Sequence, residues 1–270
     1  MMIQDIEGSF RNEFHQRQPL PTDTVFVFRG RQILLKEQEQ LQFPVVEEVR
    51  GECQYLFEWE GKNFFLAMQE QEVDGYVFHG IRRLRSHGPR EIRFLATTAY
   101  HLYTWYSHTR YCGVCATKNV HSQTERAMVC PHCGNVSYPT IAPAVIVGVL
   151  HEDKICLTRY ANRPYGGRAL IAGFCEIGET PEDPVVREVM EEVGLKVKNI
   201  RYYKSQPWGF ASNLLLGFYA DLDGEDTITL DREELARARW VTREEIDEEQ
   251  DHLSLTREMI LAFKNGEIKR

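Results

Sequence analysis

The chain has 270 residues, of which 43% are hydrophobic and 27% charged, a composition typical of a folded globular protein with one large or two ordinary domains. Its formal net charge of −8 argues against a general nucleic-acid-binding protein, which needs a basic surface, but allows small anionic substrates where bound cations reverse the local field. The longest apolar run, at 141–150, is too short to span a bilayer, so we expect no membrane association.

The N-terminal residues include early acidic side chains and no apolar core, so we expect no secretory signal. The chain has seven cysteines, an odd number. Together these features favour reduced thiols and a cytoplasmic location.

Residues 1–108 predict a small α+β N-terminal domain. The stretches TVFVFRGRQILL and CQYLFEWEGKNFFLAM are typical of β-hairpins, the first turning at Arg29 and Gly30, the second at Glu60 and Gly61. Apolar residues at helical spacing predict a helix over 90–107. We find no catalytic motif in this part of the chain and expect its aromatic residues to form its core.

The segment 109–140 contains two Cys-x-x-Cys pairs, separated by fourteen residues. The four cysteines are Cys112, Cys115, Cys130 and Cys133. Their spacing predicts a zinc ribbon with one structural Zn²⁺ per subunit, because four thiolates fill a tetrahedral site and leave no position for water or substrate. The alternatives are two reduced pairs without metal and a redox-active pair, although the latter lacks the expected βαβ context.

Residues 141–270 predict a third domain. TIAPAVIVGVL and KICLTRY are typical of paired strands, LLLGFYADL of another strand and SLTREMILAFKNG of a final helix. Between them, residues 185–193 predict an amphipathic helix that Gly194 ends. For its N-terminal cap the sequence offers Thr180 and Asp183 as alternatives.

The two sides of this predicted helix differ sharply. The apolar side carries Val185, Val186, Val189, Met190 and Val193. The opposite side carries Arg187, Glu188, Glu191 and Glu192. A charged side is usually solvated surface. Here, however, the carboxylates at i, i+3 and i+4 meet without neighbouring lysines, and a glycine-bounded loop brings Glu179 back toward them. Clustered carboxylates on a rigid element suit Mg²⁺ or Mn²⁺, which predicts a divalent-cation site.

The stretch GFCEIGETPEDPVVREVMEEVGL matches the Nudix box throughout: Gly, five residues, Glu, seven residues, then Arg-Glu-apolar-x-Glu-Glu-x-Gly-apolar. The resemblance to Nudix hydrolases implies an α/β/α sandwich for the third domain and cleavage of a diphosphate joined to another group. It implies that the catalytic cations are bound by Glu188, Glu191 and Glu192. The Gly173 carbonyl is a further expected ligand.

The same resemblance assigns a supporting pair. Glu179 resembles the loop carboxylate that pairs with Arg187 and fixes the loop on the helix. Family members differ in which carboxylate accepts the proton of the attacking water, so the identity of the base stays open. We expect substitution of Glu192 to be the most damaging.

Downstream, SQPWGFASN (205–213) is similar to the Ser-Gln-Pro-Trp-x-Phe-x-x-Ser element of NADH pyrophosphatases, a Nudix group with an upstream zinc ribbon. The chain departs from it at Gly209 and Ala211, where proline is common, and at Asn213, where the serine falls. An ordinary strand edge with buried aromatic residues is the alternative. The group converts NADH and NAD⁺ to AMP and nicotinamide mononucleotide, and bacterial members also remove NAD caps from RNA 5′ ends.

The resemblance also implies substrate contacts. Phe174 corresponds to the aromatic residue that stacks on a base, and Tyr138 to a stacking partner from the second subunit of a homodimer, with core packing as the alternative for both. Further expected contacts are Gln206, Trp208 and Asn213.

Outside these elements, Glu234 resembles another metal-binding glutamate, with Glu233 or a surface placement as alternatives. Candidate phosphate contacts are Arg159, Arg163 and Arg168, although isolated arginines are usually surface residues.

The sequence therefore predicts a metal-dependent NAD(H) pyrophosphatase, with NAD-capped RNA as a second candidate substrate. The alternatives are a Nudix hydrolase of ADP-ribose or another nucleoside-diphosphate derivative, and a nucleic-acid-binding sensor. Sensors often lose a box glutamate, and this chain keeps them all. The ribbon carries a weakly basic patch that could guide an RNA 5′ end, formed by Lys118, His121 and Arg126.

Overall fold

The structure is a computed structural model that describes residues 1–37, 41–161, 168–247 and 253–268. It contains two compact units. The N-terminal unit comprises Ile3–Ile141 and Gly209–Ser212, and the C-terminal unit comprises Met1–Met2, Ala142–Trp208 and Asn213–Arg270. Among the described residues, no helix has the length and apolar character needed to cross a membrane.

The N-terminal unit combines short, mostly antiparallel strands with one long helix. Its elements before the cysteines are β1 (Phe10–Arg11), β2 (Thr24–Phe26), β3 (Phe28–Arg29), β4 (Gln32–Glu37), β5 (Leu41–Gln42), β6 (Cys53–Trp59), β7 (Lys62–Ala67), β8 (Val77–Gly80) and α1 (Arg90–His108). One sheet has the order β1-β6-β7-β2, and in another β4 pairs with β3, β5 and β8. The predicted α+β character and the helix over 90–107 are therefore confirmed.

Of the two predicted hairpins, one turn is right and one is displaced. Trp59 pairs with Lys62, so Glu60 and Gly61 form the turn as predicted. Arg29, in contrast, pairs with Gln32, which leaves Gly30 and Arg31 as the turn. The prediction placed this turn one residue too early because the strand ladder extends through Arg29. The aromatic core is confirmed: its wholly buried members include Phe26, Phe28, Phe57 and Phe65.

The zinc ribbon is a small antiparallel sheet of β9 (Val120–His121), β10 (Met128–Val129) and β11 (Val136–Ser137). Arg126 joins it to the rest of the N-terminal unit, because its guanidinium donates to the Leu56 carbonyl at 2.5 Å and to the Asn12 carbonyl at 3.0 Å. Burial lowers the pKa of Arg126. The His121 ring is half-buried, 5.2 Å from that of Tyr106. The predicted basic patch on the ribbon is therefore wrong for two of its three residues, because the His121 and Arg126 side chains pack inward.

The C-terminal unit is a sheet between two helices. Its elements are β12 (Ala142–His151), β13 (Lys154–Tyr160), β14 (Ile171–Phe174), α2 (Asp183–Val193), β15 (Val197–Trp208), β16 (Asn213–Leu222), β17 (Leu235–Thr242) and α3 (Leu255–Lys264). The strand order is β15-β16-β12-β13-β17, and β14 pairs with the first half of β12. The predicted strands and final helix are confirmed.

The two faces of this sheet carry separate cores, because successive side chains of a strand point to opposite faces. Val145 and Val147 pack on the α2 side with Val185 and Val189. On the α3 side lie Ala144 and Ile146 together with Leu255, Met259 and Phe263. This arrangement is the predicted α/β/α sandwich.

Helix α2 is rotated relative to the prediction. Val185, Val189 and Val193 are buried as expected, but Val186 and Met190 are exposed. Glu192 takes their place on the buried side and is only 1% exposed. The apolar pattern could not predict this orientation, because it counts a carboxylate as a surface residue. Gly194 ends the helix at φ 69°, as predicted.

The start of α2 follows neither predicted cap. The residue preceding the helix is Glu182, and its side chain makes no capping hydrogen bond. Instead, the Asp183 carboxylate accepts hydrogen bonds from the Thr180 N–H and hydroxyl at 2.7 and 2.8 Å. The two alternatives thus combine into one turn that leads into the helix.

Candidate active site

Strand β14 lies directly against the first turns of α2. A Cβ atom built at Gly173 would overlap the carboxylate of Glu188. Only glycine therefore allows this carboxylate to lie against the strand backbone. The contact brings the Gly173 main chain next to a predicted cation ligand.

Arg187 is the hub of the glutamate cluster. Its guanidinium pairs with both oxygens of Glu179, at 2.7 and 2.9 Å. Its Nη1 donates to Glu188 at 2.7 Å and to Glu191 at 3.2 Å, and Nη2 donates to the Phe174 carbonyl at 2.9 Å. One side chain thus connects the loop, the helix and the end of β14. The link to Phe174 had no signal in the sequence, because a backbone acceptor has no residue signature.

The carboxylates of the cluster differ in their environments. Hydrogen bonds from Arg187 and from the Glu176 N–H lower the pKa of Glu179 to about 2. Burial raises the pKa of Glu188, and the charges of Glu191 and Glu234 add to this effect while Arg187 opposes it. The site therefore combines a firmly ionised loop carboxylate with a helix carboxylate that holds its proton more tightly than usual.

Glu192 faces the sheet next to Cys156 of β13. Burial and the nearby Glu192 charge together raise the pKa of the Cys156 thiol to about 12. In the sequence, Cys156 has no cysteine partner at metal-ligand spacing. Successive side chains of a strand point to opposite faces, and this alternation places Cys156 on the α2 face of β13. The pattern could therefore have identified Cys156 as a neighbour of the helix.

Glu234 lies close enough to Glu188 for the two charges to interact. Its segment follows the C-terminal end of α2, because the Asp231 N–H donates to the Glu192 carbonyl at 3.0 Å and the Thr229 N–H to the Val193 carbonyl at 2.9 Å. Glu233 and Glu234 are both exposed, so the interaction with the Glu188 charge is the observation that favours Glu234.

The α3 face of the sheet carries most of the predicted substrate contacts. Phe174 pairs with Ala144, and Asn213 pairs with both Ala142 and Trp208, so these side chains share one face at one end of the sheet. Phe174 is 56% exposed. Ala142 and Ala144 of β12 are the strand neighbours of Asn213 and Phe174 on this face.

Asn213 is 8% exposed, and its Oδ1 has no hydrogen-bond partner within the described ranges. A buried acceptor of this kind costs free energy unless something donates to it. Gln206 differs: it is 0% exposed, its amide nitrogen donates to the Leu253 carbonyl at 2.8 Å, and its oxygen accepts from the Leu255 N–H at 2.7 Å. These bonds fix the start of α3.

Tyr138 belongs to the N-terminal unit, where it is 56% exposed and its hydroxyl donates to Glu125 at 3.1 Å. It is therefore not a core residue. Of the candidate arginines, Arg168 pairs with Asp247 at 2.9 Å and Arg159 is exposed, while Arg163 lies outside the described residues.

The four ribbon cysteines converge on one point. Their sulfur atoms approach within 3.4–3.6 Å in three pairs, and all four lie within 4.8 Å of one another. Tetrahedral Zn²⁺ with Zn–S bonds of roughly 2.3 Å needs sulfurs about 3.8 Å apart. The N–H groups of Val114 and Cys115 lower the pKa of Cys112, which favours the thiolate that zinc requires. The cysteines thus fit a structural zinc ion.

The glutamate cluster fits divalent cations by its chemistry. It offers several carboxylate oxygens, one of them on the buried Glu192, beside a glycine that leaves no Cβ in the way. The carboxylate oxygens lie farther apart than the cysteine sulfurs. Among the described residues, the four cysteines are the only group of three or more metal-ligand side chains whose ligand atoms all lie within 4.8 Å of one another. Arg187 Nη1 provides the positive charge between Glu188 and Glu191.

A sheet between two helices, with a glutamate-rich helix beside a glycine of the neighbouring strand, defines the Nudix class. The NUDIX domain family matches residues 140–263, and the NADH pyrophosphatase zinc ribbon domain matches residues 107–138.

Curated relatives narrow this assignment. The NAD-capped RNA hydrolase NudC of Escherichia fergusonii is 40% identical over 185 residues, which cover 68% of this chain and 69% of that protein. The protein of the same name from Shigella dysenteriae is 40% identical over 183 residues, with the same coverage. A solved NUDIX hydrolase from Nitrosomonas europaea is 26% identical, covers 51% of this chain and 80% of its own, and superposes with a TM-score of 0.44. The chain belongs to the Nudix hydrolase family, in its zinc-ribbon NADH pyrophosphatase branch.

Proposed function

We propose that this protein hydrolyses the pyrophosphate of NADH and NAD⁺ to AMP and nicotinamide mononucleotide, and that it removes NAD caps from RNA 5′ ends. The observation that carries the proposal is the pairing of two sites on one strand. Gly173 lies against the Glu188 carboxylate of α2, and the next residue, Phe174, presents an exposed ring on the opposite face of the sheet. A dinucleotide needs both sites, one for its phosphates and one for a base.

The glutamates would hold Mg²⁺ or Mn²⁺. We assign this role to Glu188, Glu191, Glu192 and Glu234, with the Gly173 carbonyl as a further ligand. When bound, such cations neutralise the diphosphate oxygens and make the attacking water more acidic. The buried Glu192 is the carboxylate whose charge is most costly to desolvate, which fits a position that a cation normally neutralises.

The remaining residues of the cluster position these ligands. Arg187 keeps Glu179 ionised and connects the loop to α2 and to the Phe174 carbonyl. Any of the helix carboxylates could accept the proton of the attacking water. The raised pKa of Glu188 makes this residue a reasonable base.

On the α3 face, we propose that a base stacks on Phe174 and that Trp208 contributes to the same binding site. Stacking contributes roughly 1–3 kcal/mol per base. The buried Oδ1 of Asn213 would accept a hydrogen bond from an N–H or O–H group of the substrate. For Gln206 the geometry supports a positioning role more than direct contact.

The exposed ring of Tyr138 supports the prediction of a homodimer in which it stacks on the base held by the other subunit. Sedimentation measurements would establish the assembly. Mixed dimers of Tyr138→Ala and Glu192→Gln subunits should regain activity if each site needs both subunits. The cytoplasmic location and the three-part division at residues 108 and 140 stay predictions.

Product analysis tests the activity. We expect the protein with Mg²⁺ or Mn²⁺ to convert NADH to AMP and reduced nicotinamide mononucleotide. Release of nicotinamide mononucleotide from NAD-capped RNA should follow. Turnover of ADP-ribose without turnover of NADH would overturn the proposal in favour of a nucleoside-diphosphate-sugar hydrolase.

A further inference from the structure

The segment 79–93 concentrates positive charge in a chain whose net charge is −8. It has five arginines and two histidines but a single carboxylate, Glu91. Two of these arginines serve the fold: Arg93 Nε donates to the Leu84 carbonyl at 2.6 Å, and Arg90 Nη1 donates to the Asp5 carbonyl at 2.6 Å. Arg82 is exposed and makes no side-chain hydrogen bond or ion pair within the described residues.

Three more exposed arginines of the N-terminal unit share this property in the described part of the chain: Arg31, Arg50 and Arg110. The Arg31 carbonyl accepts the N–H of Ile81, the residue before Arg82, at 2.9 Å. The residue before it, Gly30, donates its N–H to the Tyr103 hydroxyl at 3.1 Å. A continuous path of contacts therefore leads from Arg82 through the turn of Gly30 and Arg31 to α1.

At the end of this path lies a cavity of about 300 Å³. One wall is a stripe of α1 and the residues just after it, at the helical spacing i, i+3, i+4 and i+7: Tyr103, Tyr106, Ser107 and Arg110. The half-buried Tyr103 ring lies 4.9 Å from that of Phe28, at an angle of 28°. Glu70 also lines the cavity, and its carboxylate is paired with Arg29 at 2.6 Å, which also pairs with Glu72 at 3.4 Å. Arg110 is the cation of the cavity lining, and its side chain has no ion-pair partner within the described residues.

We propose that this surface, formed by Arg31, Arg82, Arg110 and the Tyr103 cavity, binds the single-stranded RNA that follows the NAD cap. A row of cations beside an aromatic ring suits single-stranded nucleic acid, since phosphates meet the cations and a base enters the aromatic site whatever its identity. The proposal rests on the proposed decapping function, because that function explains why the protein would meet RNA. It also replaces the ribbon patch, whose Arg126 is committed to backbone carbonyls.

The test measures binding of a short single-stranded RNA with a 5′ monophosphate, which lacks the NAD cap, by fluorescence anisotropy over a range of salt concentrations. For the variant Arg31→Gln, Arg82→Gln and Arg110→Gln we expect about tenfold or greater loss of affinity at low salt. The slope of log affinity against log salt should fall by about 2, at roughly 0.7 per lost phosphate contact.

A matched control removes three exposed cations elsewhere on the same unit: Arg50→Gln, Lys62→Gln and Lys118→Gln. It should bind RNA nearly as well as the wild type, although its net charge changes equally. A second variant, Tyr103→Leu, should weaken binding at least about fivefold without changing the salt slope. Thermal unfolding of each variant shows whether it folds.

Equal losses in the two triple variants would overturn the proposal, because binding would then follow net charge alone. An unchanged affinity in the Arg31, Arg82 and Arg110 variant would overturn it as well. The proposal would also be overturned if that variant lost binding to anionic lipid vesicles while its RNA binding stayed intact. Hydrolysis of NADH should be unchanged in the folded variants, so a failure of the pyrophosphatase activity itself is detected separately.

Discussion

At the scale of single residues, the site depends on how Arg187 distributes its hydrogen bonds. Most exposed ion pairs contribute little to stability, but this guanidinium holds three carboxylates and a backbone carbonyl at once. Its pKa is raised chiefly by the hydrogen bonds with Glu179. The pair therefore keeps the loop and the helix in a fixed relation before any cation binds.

The depressed pKa of Glu179 predicts a defined acid sensitivity. Because the folded pKa of about 2 lies below the ordinary value of 4.5, the carboxylate stabilises the fold fully above pH 4.5 and progressively less as the pH falls toward 2. We expect Glu179→Gln to unfold at a lower temperature than wild type above pH 4.5, with the difference shrinking below it. Thermal unfolding without added metal measures this. A difference that does not change with pH would contradict the role of the ionised carboxylate.

At the scale of elements, the sequence predicted the main strands and helices well, because their apolar periodicity is strong. It failed at α2, where Glu192 is buried and Val186 is exposed. Periodicity assigns carboxylates to the solvent, whereas the Glu192 carboxylate is buried against the sheet beside Cys156. The role of Gln206 was also hidden, since its amide bonds the Leu253 carbonyl and the Leu255 N–H, backbone groups 47 and 49 residues away in sequence.

Gln206 joins the end of β15 to the start of α3. Replacing it with leucine leaves the Leu253 carbonyl and the Leu255 N–H without this partner, at a cost of about 1–3 kcal/mol for each buried group. We expect Gln206→Leu to lower the free energy of unfolding accordingly, measured with denaturant. Gln32→Leu, at an exposed position, is the control. Unchanged stability together with a raised KM for NADH would instead identify Gln206 as a substrate contact.

At the scale of the whole molecule, the zinc ribbon is part of a larger compact unit. Arg126 is hydrogen-bonded to Asn12 and Leu56, and the Asn119 amide donates to the Thr109 carbonyl at 2.9 Å. The cysteine spacing predicted the ribbon itself. It could not predict this docking, because the acceptors on the other side are mostly backbone carbonyls.

Zinc should therefore stabilise more than the ribbon. We expect a chelator, or Cys130→Ser, to lower the unfolding temperature of the N-terminal unit and to expose the amides of β6 and β7 to hydrogen exchange. Cys53→Ser, which leaves the ribbon cysteines intact, should have a much smaller effect. Loss of protection confined to 109–140 would show that the ribbon unfolds independently.

The central claim is that the carboxylates of α2 hold divalent cations against a dinucleotide pyrophosphate, and Glu192 tests it most directly. Mn²⁺ binding and NADH hydrolysis should be measured side by side for wild type, Glu192→Gln and the exposed control Glu182→Gln. We predict that Glu192→Gln weakens Mn²⁺ binding and lowers kcat by about 10²–10⁴-fold, whereas the control retains both. Full Mn²⁺ binding and full turnover in Glu192→Gln would contradict the account.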